Sequence, residues 1–370
     1  MAREDSLDFF PQTMVAAVLV DNASVQLTEV PCQPPAADEC LVRIEAAGIC
    51  SSDIARSSDR GAYFYPLIMG HELAGTVVMR GAETPDDLTP GTAVTVFPLL
   101  PCFACDACAN ERYAQCRSYD YYGSRRHGGF AQYLTVKAWN LLPLPDGVGT
   151  DDGALAEPVS VVVHALDRLG LVGASQAGTG PLLILGAGFL GLLAVKILRL
   201  CAPDIAVTII DRNAGKLAIA AADGARAIHL ADPRDWDAFA QSHRASFPMV
   251  LEAAGVPDTF RHALDLCRHG GQVVWMGNIS GDLTLPQSLV SQVLRREITI
   301  SGTWNSTWRG RELSDWTVAL DMMRQGLAPS RLVDKFVGLD GIGDLLANLA
   351  AHKRRQMSYP VLKAVARPNA

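Results

Sequence analysis

One segment in the first hundred residues combines a thiol, hydroxyls, an imidazole and carboxylates at short spacing. Its sequence is GICSSDIARSSDRGAYFYPLIMGHELAG, and its side chains of interest are Cys50, Ser52, Asp53, His71 and Glu72. A thiolate, an imidazole and a carboxylate that converge on one point form the donor set of a Zn²⁺ site. Because these residues are scattered along the chain rather than grouped in tight pairs, they favour a catalytic zinc, with Ser52 close to what the metal binds.

A second group of candidate metal ligands follows in the loop Cys102-x₂-Cys105-x₂-Cys108-x₇-Cys116. Four thiols at this spacing satisfy the tetrahedral demand of a structural zinc. Disulfides are disfavoured because the odd count of nine cysteines and the lack of a secretory signal indicate a reducing compartment. A redox pair would leave two cysteines unexplained, and an iron–sulfur site of bacterial type needs a shorter last gap followed by proline rather than Arg117.

A further carboxylate, Glu157, lies in the apolar segment LAEPVSVVVHAL directly before Pro158. Proline at a first helical position predicts that Glu157 sits just ahead of a helix. Such an acid either faces water at the helix start or, given its apolar surroundings, is buried, paired or bound to a metal. Spacing alone does not connect it to the Cys50 segment. His164 in the same segment is interpreted as a hydrogen-bonded core histidine.

The sequence GAGFLG, residues 186–191, lies between a short apolar run and a helical stretch. Asp211 ends the next apolar run, where dinucleotide-binding units carry the acid that binds ribose hydroxyls. In this pattern Gly186 forms the tight turn, and Gly188 admits a pyrophosphate to the backbone. Gly191 lets helix and strand pack closely, so that the diphosphate meets the positive end of the helix.

The choice of nucleotide depends on Asp211 and its neighbour Arg212. The carboxylate accepts hydrogen bonds from the ribose and repels a 2′-phosphate, which favours NAD. The guanidinium could pair with that phosphate, stack on adenine, or be a solvated surface charge. NAD is the expected cofactor, and NADP stays possible.

Short apolar or alternating runs predict the strands that hold the metal-binding residues. They lie at residues 14–20, 25–30, 40–47, 74–79, 93–97 and 132–136. They indicate a mostly antiparallel, barrel-like lobe with long loops. After residue 180, strand-like and helical runs alternate, which predicts a doubly wound parallel sheet and an α/β fold overall.

At 370 residues, with 49% hydrophobic and 19% charged residues, the chain is expected to form about two compact domains. The predicted boundaries are 1–156 for the first part of a catalytic domain, 157–304 for a nucleotide-binding domain, and 305–370 for the rest of the catalytic domain. The formal net charge of −7 and the lack of long basic runs argue against nucleic acid. Residues 1–12 do not resemble a signal peptide and no apolar run predicts a membrane span, so a cytoplasmic location is expected.

Several segments together resemble the zinc-dependent medium-chain dehydrogenase/reductase family. They are GICSSD, GHELAGTVV, the four-cysteine loop, GGFAQY, LAEPVSVVVHA and GAGFLG. The EP motif and the cysteine loop resemble the sorbitol-dehydrogenase branch. PLLPCFACDAC, QCRSYDYYGSRRHGGFAQY and VLRREITISGTW resemble members that act on a phosphorylated sugar alcohol. The resemblance implies a GroES-like catalytic domain formed by both chain ends around an inserted Rossmann domain, in a homodimer or homotetramer.

The resemblance also implies roles for individual residues. The catalytic-zinc ligands would be Cys50, His71 and Glu157, with Glu72 as an alternative. Asp53 would orient His71, and Ser52 would bind the substrate oxygen and start a proton relay, whose more distant histidine has no counterpart here. Cofactor contacts would come from Gly186, Gly188, Phe189, Leu190, Gly191, Asp211, Arg212, Gly277, Thr303 and Trp304. Two zinc ions per chain are expected, the second one in the cysteine loop.

The implied reaction is the reversible oxidation of a secondary alcohol of a polyol or sugar-alcohol phosphate to the ketone with NAD. Zinc would act as a Lewis acid, and Ser52 would pass the proton outward. A phosphate would need cationic partners; the available arginines are Arg125, Arg126, Arg295 and Arg296. Equally, both pairs could form surface or subunit-interface salt bridges. An unphosphorylated polyol, aminosugar or cyclitol would use the same chemistry, and a non-catalytic NAD-binding protein is the alternative of a different class.

Overall fold

A computed structural model describes residues 10–58, 60–172, 180–354 and 361–369. The chain forms two compact units. The first comprises Met1–Glu157, Trp308–Ser314 and Ala328–Ala370, and the second comprises Pro158–Thr307 and Asp315–Leu327. The predicted return segment 305–370 is therefore divided between the units. The prediction about a signal peptide concerns residues 1–12, of which residues 1–9 lie outside the described residues.

Strands and helices are numbered in chain order. The strands are β1 (Thr13–Asp21), β2 (Ser24–Pro31), β3 (Glu39–Ile49), β4 (Leu67–Ile68), β5 (Glu72–Arg80), β6 (Ala93–Val96), β7 (Leu99–Leu100), β8 (Asp120–Tyr121), β9 (Tyr133–Lys137), β10 (Leu141–Pro143), β11 (Leu182–Leu185), β12 (Val207–Asp211), β13 (Arg226–His229), β14 (Phe247–Glu252), β15 (Cys267–Trp275), β16 (Thr299–Gly302), β17 (Lys335–Val337) and β18 (Ala364–Ala366). The helices are α1 (Ser51–Arg56), α2 (Asp106–Ala109), α3 (Thr150–Ala154), α4 (Ala156–Asp167), α5 (Phe189–Cys201), α6 (Ala214–Ala222), α7 (Pro233–Ser242), α8 (Pro257–Leu266), α9 (Gln287–Arg296), α10 (Asp315–Arg324) and α11 (Ile342–Arg354). Short 3₁₀ turns lie at Tyr113–Gln115, Ala138–Asn140, Pro329–Leu332 and Leu339–Gly341.

The first unit is built around β3, which pairs with β5, β9 and β18. The larger sheet has the order β10-β6-β5-β3-β18-β17, and a smaller sheet has the order β2-β1-β4. Among the described strands of this unit, all pairs are antiparallel except β17 with β18. Apolar residues from the two sheets and from α11 form its core. β18 comes from the chain's C-terminal end, so both ends of the sequence complete one core.

The second unit contains a parallel sheet with the order β13-β12-β11-β14-β15-β16 among its described strands. Its central strand β11, LLIL, is buried on both faces, as parallel strands covered by helices are. The strand order reverses between β11 and β14, and ligands of doubly wound sheets bind at the carboxyl ends of the strands at such a point. The GAGFLG sequence follows β11 directly, so the fold brings it to this edge.

The predicted fold class, a barrel-like β lobe plus a doubly wound parallel sheet, is confirmed. The expectation that Pro158 opens a helix is wrong, because α4 already begins at Ala156 and contains Glu157 in its first turn. Helix α3 ends at Ala154, so a single residue separates the two helices. Proline is tolerated in the first turn of a helix, where N–H groups lack intrahelical partners. None of the helices in the described parts of the chain is both long and apolar enough to cross a bilayer.

Candidate active site and metal centres

Cys50 lies at the junction between β3 and α1, where it caps the helix N-terminus with an extended backbone. Asp53 Oδ2 accepts a hydrogen bond from the Cys50 N–H at 3.0 Å, which closes the first turn in the manner of a capping box. The Asp53 side chain is fully buried, so this contact fixes the turn that carries the thiol. Ser52 is half-buried on the same turn.

His71 and Glu72 arrive at the same place from the start of β5. Glu72 is opposite Gly48 in the antiparallel ladder between β5 and β3. Donor atoms of Cys50, His71 and Glu72 consequently all lie within 4.8 Å of one another. Gly48 is required here because a Cβ at this position would lie 1.9 Å from Glu72 Oε2. We call these three ligand-type side chains the Cys50 cluster.

Asp53 also orients the imidazole of the Cys50 cluster. Its Oδ1 lies 3.4 Å from His71 Nδ1 and 3.4 Å from Arg56 Nη1. Burial would raise the pKa of Asp53, but His71 and Arg56 outweigh it and lower that pKa. Burial likewise would lower the pKa of His71, but Asp53 and the Cys50 thiol raise it well above its ordinary value. With Nδ1 turned toward Asp53, Nε2 is left for a metal, as in carboxylate–histidine–zinc arrangements.

Glu157 lies beside the Cys50 cluster but outside its three-residue group. It is 8% exposed, so the expectation of a buried carboxylate is confirmed and that of a water-facing acid is wrong. Its Oε1 accepts a hydrogen bond from the Tyr121 hydroxyl at 3.4 Å, and the Tyr121 ring packs edge-on against His71 with centroids 5.8 Å apart. Burial chiefly raises the pKa of Glu157 to about 7, against the opposing effect of His71.

A buried lysine pairs with Glu72. Lys363 Nζ lies 2.7 Å from Oε1 and 2.5 Å from Oε2 of Glu72, and it also donates to the Ile49 carbonyl at 3.1 Å. Both side chains are almost fully buried, and loss of either charge would leave the other buried without a partner of opposite charge. Ligation of a metal by Glu72 would therefore compete with its ion pair to Lys363.

The four-cysteine loop forms a second cluster. The sulfur atoms of Cys102, Cys105, Cys108 and Cys116 lie within 4.8 Å of one another, and all four thiols are free. Backbone N–H groups, that of Arg117 foremost, lower the pKa of Cys105 to about 6, whereas burial raises that of Cys108 to about 12. Four convergent sulfurs with backbone donors directed at them fit a closed zinc site. The Cys50 cluster, with mixed donors beside a hydroxyl, fits an open one.

The glycines of GAGFLG have the geometry of a nucleotide-binding turn. Gly186 has a φ of +107°, and a Cβ there would lie 2.9 Å from the backbone of Ala254. A Cβ on Gly191 would lie 2.0 Å from the Gly186 carbonyl oxygen, so helix and strand require glycine at this contact. Gly188 precedes α5 and has no heavy atom within 4 Å of its Cβ position, which leaves its backbone open to a pyrophosphate.

The remaining predicted cofactor contacts have distinct surroundings. Asp211 Oδ2 accepts a hydrogen bond from the Ala187 N–H at 2.7 Å, so this acid also braces the glycine turn. Arg212 is exposed and follows it directly. Gly277 packs against a carboxylate, because a Cβ there would lie 2.4 Å from Glu252 Oε2.

Thr303 and Trp304 follow β16. Thr303 donates its backbone N–H to the Trp275 carbonyl at 3.2 Å, and the side chain of Trp304 is 57% exposed. Phe189 and Leu190 form the first turn of α5 and are half-buried.

Sequence reasoning missed three residues that shape these sites: Tyr121, Lys363 and Glu252. Lys363 and Glu252 had a usable signal, since each is a charge within an apolar run, and such charges are buried only when they are paired or hydrogen-bonded. Glu252 accepts hydrogen bonds from the Ala254 and Gly255 N–H groups, each at 2.9 Å. Tyr121 gave no signal, because its contact with His71 joins residues far apart in sequence.

Comparison with protein families gives two matches along the chain. Residues 36–146 match the alcohol dehydrogenase GroES-like domain, and residues 190–325 match the zinc-binding dehydrogenase domain. The first match covers the Cys50 cluster and the four-cysteine loop. The second begins within the glycine-rich turn.

Individual relatives cover most of the chain. Galactitol 1-phosphate 5-dehydrogenase of Escherichia coli K12 is 36% identical over 298 residues, which are 78% of this chain and 82% of that protein. L-galactonate-5-dehydrogenase of the same strain is 31% identical over 300 residues, 78% of this chain and 84% of that protein. A crystal structure of galactitol-1-phosphate dehydrogenase from E. coli superposes with a TM-score of 0.81 at 32% identity, covering 96% of this chain and all of that one. These sequence and structural similarities confirm the resemblance to enzymes of a phosphorylated sugar alcohol.

Proposed function

Because the chain belongs to the zinc-dependent medium-chain alcohol dehydrogenase family and is an oxidoreductase of CH–OH groups, we propose that it oxidises a secondary alcohol of a polyol or sugar-alcohol phosphate to the ketone with NAD. The observation that carries the proposal is the convergence of Cys50, His71 and Glu72 within 4.8 Å in one unit of a chain whose other unit presents an open nucleotide-binding turn. Thiolate, imidazole and carboxylate are each zinc ligands, and three protein donors with an open fourth position are typical of a catalytic zinc.

We assign Cys50, His71 and Glu157 as ligands of a catalytic zinc, with Glu72 as an exchangeable alternative. The assignment is supported by the burial of Glu157 close to His71 and by the ion pair with Lys363 that engages Glu72. A bound zinc ion supplies Lewis-acid chemistry there, polarising the substrate oxygen and lowering the pKa of an alcohol.

The protein's own residues orient the reactants and move the proton. Asp53 keeps His71 in the orientation in which Nε2 serves the metal. Ser52, on the first turn of α1, would accept the hydroxyl proton of the substrate and pass it outward. In the second unit, the N–H groups at the start of α5 and the open backbone of Gly188 would bind the pyrophosphate of NAD, which would supply a hydride acceptor.

We further propose two zinc ions per chain and NAD in preference to NADP. The four-cysteine cluster supports the second zinc, and the Asp211 carboxylate supports NAD through its repulsion of a 2′-phosphate. The rates at which the enzyme reduces NAD and NADP test this preference, and NADP reduction as fast as or faster than NAD reduction would contradict it.

We propose that the chain forms a homodimer or homotetramer through the second unit. β16 has one neighbour in the described sheet, and apolar side chains near it face solvent: Leu294 is 74%, Val290 44% and Ile300 38% exposed. An edge strand with exposed apolar residues is a template for pairing with another chain. Sedimentation analysis should give two or four chains, and a monomer at micromolar concentration would contradict the proposal.

The substrate class is tested by a panel followed at the nicotinamide absorbance. The panel contains galactitol 1-phosphate, galactitol, sorbitol and cyclitols, each at matched concentration with NAD. We expect the highest kcat/KM with the phosphorylated polyol, because the curated relatives named above include an enzyme of that substrate. Equal or better rates without the phosphate would contradict the sugar-phosphate part of the proposal and favour a neutral polyol or cyclitol.

A further inference from the structure

The four arginines considered for anion binding differ in their surroundings. They are Arg125, Arg126, Arg295 and Arg296. Arg126 Nε is 2.6 Å from Asp120 Oδ2, so its charge is already paired. Arg296 is buried, and its Nη1 donates to the carbonyls of Asp265 at 2.8 Å and of Cys267 at 3.3 Å. Both therefore have structural partners, and Arg295 lies with Arg296 at the end of α9 in the second unit.

Arg125 contacts two aromatic rings, whereas Arg126, already paired with Asp120, contacts one, that of Tyr122. Its guanidinium carbon lies 4.1 Å from the ring centroid of Tyr119 and 5.0 Å from that of Tyr63. Nη1 donates to the Tyr119 carbonyl at 2.8 Å. Among the described residues, no carboxylate lies within ion-pair distance of this guanidinium. Of its five N–H groups, those not engaged by Tyr119 and Tyr63 can donate to an anion.

Aromatic contacts connect Arg125 to the Cys50 cluster within the first unit. The ring of Tyr119 lies 6.2 Å from that of Tyr121, and Tyr121 packs against His71 at 5.8 Å. Tyr121 also donates its hydroxyl to Glu157. One row of tyrosines thus runs from the proposed metal ligands to a cation that has no carboxylate partner within the part of the chain that the structure describes.

We propose that Arg125 binds the anionic group that the substrate carries several carbon–carbon bonds away from the reacting carbinol. This inference rests on the proposed function, because it assumes that the carbinol is held at the Cys50 cluster. The shared chemistry is a phosphate or a carboxylate. Two relatives named above act, by their names, at carbon 5 of a chain with a phosphate or a carboxylate at carbon 1.

The geometry explains why an arginine serves this role. A planar guanidinium can bind two oxygens of a phosphate or carboxylate at once, whereas a lysine ammonium acts as a point charge. Tyr63 and Tyr119 both contact the guanidinium, which reduces the conformational freedom that the side chain would lose on binding. Since no described carboxylate pairs with Arg125, binding of the anion breaks no ion pair among residues 10–58, 60–172, 180–354 and 361–369.

Calorimetric titration of the zinc-loaded protein with galactitol 1-phosphate, L-galactonate and galactitol tests the inference. The variants are Arg125→Gln, Arg125→Lys and, as a control of equal charge loss in the same unit, Arg43→Gln, whose side chain pairs with Glu45 on the surface. We expect Arg125→Gln to weaken binding of the preferred anionic ligand about 10- to 100-fold. Galactitol should be affected far less, Arg125→Lys should be intermediate, and Arg43→Gln should keep the wild-type ratio.

The outcomes separate the sources of the anion and the two proposals. A loss confined to galactitol 1-phosphate identifies a phosphate site, and a loss confined to L-galactonate identifies a carboxylate site. The inference is overturned if Arg125→Gln leaves the ratio of the affinity for the anionic ligands to the affinity for galactitol unchanged. It is also overturned if the wild type binds galactitol as tightly as both anions. Anion binding that depends on Arg125 but is accompanied by no NAD reduction would support the inference while contradicting the proposed function.

Discussion

The residues of the Cys50 cluster and the neighbouring Glu157 differ in the side chains that contact them. Asp53 braces His71, Lys363 pairs with Glu72, and Tyr121 contacts the carboxyl group of Glu157. Asp53 raises the pKa of His71 and burial raises that of Glu157, so metal binding must displace the protons that these two groups hold. Zinc binding at this site is therefore expected to release protons to the solvent.

This protonation predicts how the stability of the zinc-free protein depends on pH. Burial raises the pKa of Glu157 from its ordinary value of 4.5 to about 7, so its neutral form contributes stability that is complete below about pH 4.5 and is lost as the pH rises through 7. His71, with a pKa held well above 6.5, contributes stability that is lost as the pH rises further. Asp53, whose pKa is lowered, stays ionised in this window.

We therefore expect the melting temperature of chelator-treated protein to fall between about pH 5 and 8, and zinc to restore more stability at the upper end. Thermal melts across this range, with and without zinc, measure both effects. Glu157→Gln removes one titrating group, so the melting temperature of the zinc-free variant should change less with pH below pH 7. A zinc-free wild type that gains stability over this range would contradict the protonation states described here.

At the scale of elements, the strand ladder between β3 and β5 explains why two distant motifs meet. The sequence predicted both strands, the Rossmann turn and the cysteine loop, because each has a local pattern of apolar or ligand spacing. It did not predict that Glu72 rather than Glu157 joins Cys50 and His71 in the three-residue group, because that depends on the pairing of Gly48 with Glu72. The contact of Tyr121 with His71 and the pairing of Lys363 with Glu72 could not be predicted either, because they join residues far apart in sequence.

The four-cysteine loop is expected to depend on its metal for folding. It has little regular structure beyond α2 and a 3₁₀ turn, so a zinc bound by four thiolates would supply most of its local stability. Cys105→Ala should remove one zinc per chain and lower the melting temperature by about 10 °C or more. Cys201→Ala, which removes a thiol from the end of α5, is the control and should keep both zinc ions. Unchanged zinc content and stability in Cys105→Ala would exclude a structural zinc.

At the scale of the whole molecule, the two units have separate tasks. The first carries both cysteine-containing clusters and the arginine proposed to bind an anion, and the second carries the glycine-rich turn proposed to bind the nucleotide. Because the proposed ligands of the catalytic metal belong to the first unit alone, loss of that metal should leave nucleotide binding by the second unit intact. A non-catalytic NAD-binding protein on this fold would instead have one zinc per chain, in the cysteine loop.

The most direct test compares wild-type protein with Cys50→Ala, using zinc content and NADH formation from galactitol 1-phosphate on the same samples. We expect two zinc ions and turnover in the wild type. Cys50→Ala should have one zinc, turnover at background and unchanged NAD affinity, while Cys201→Ala should match the wild type. A Cys50→Ala protein that reduces NAD at the wild-type rate, or a wild type that contains one zinc, would contradict a catalytic zinc at the Cys50 cluster.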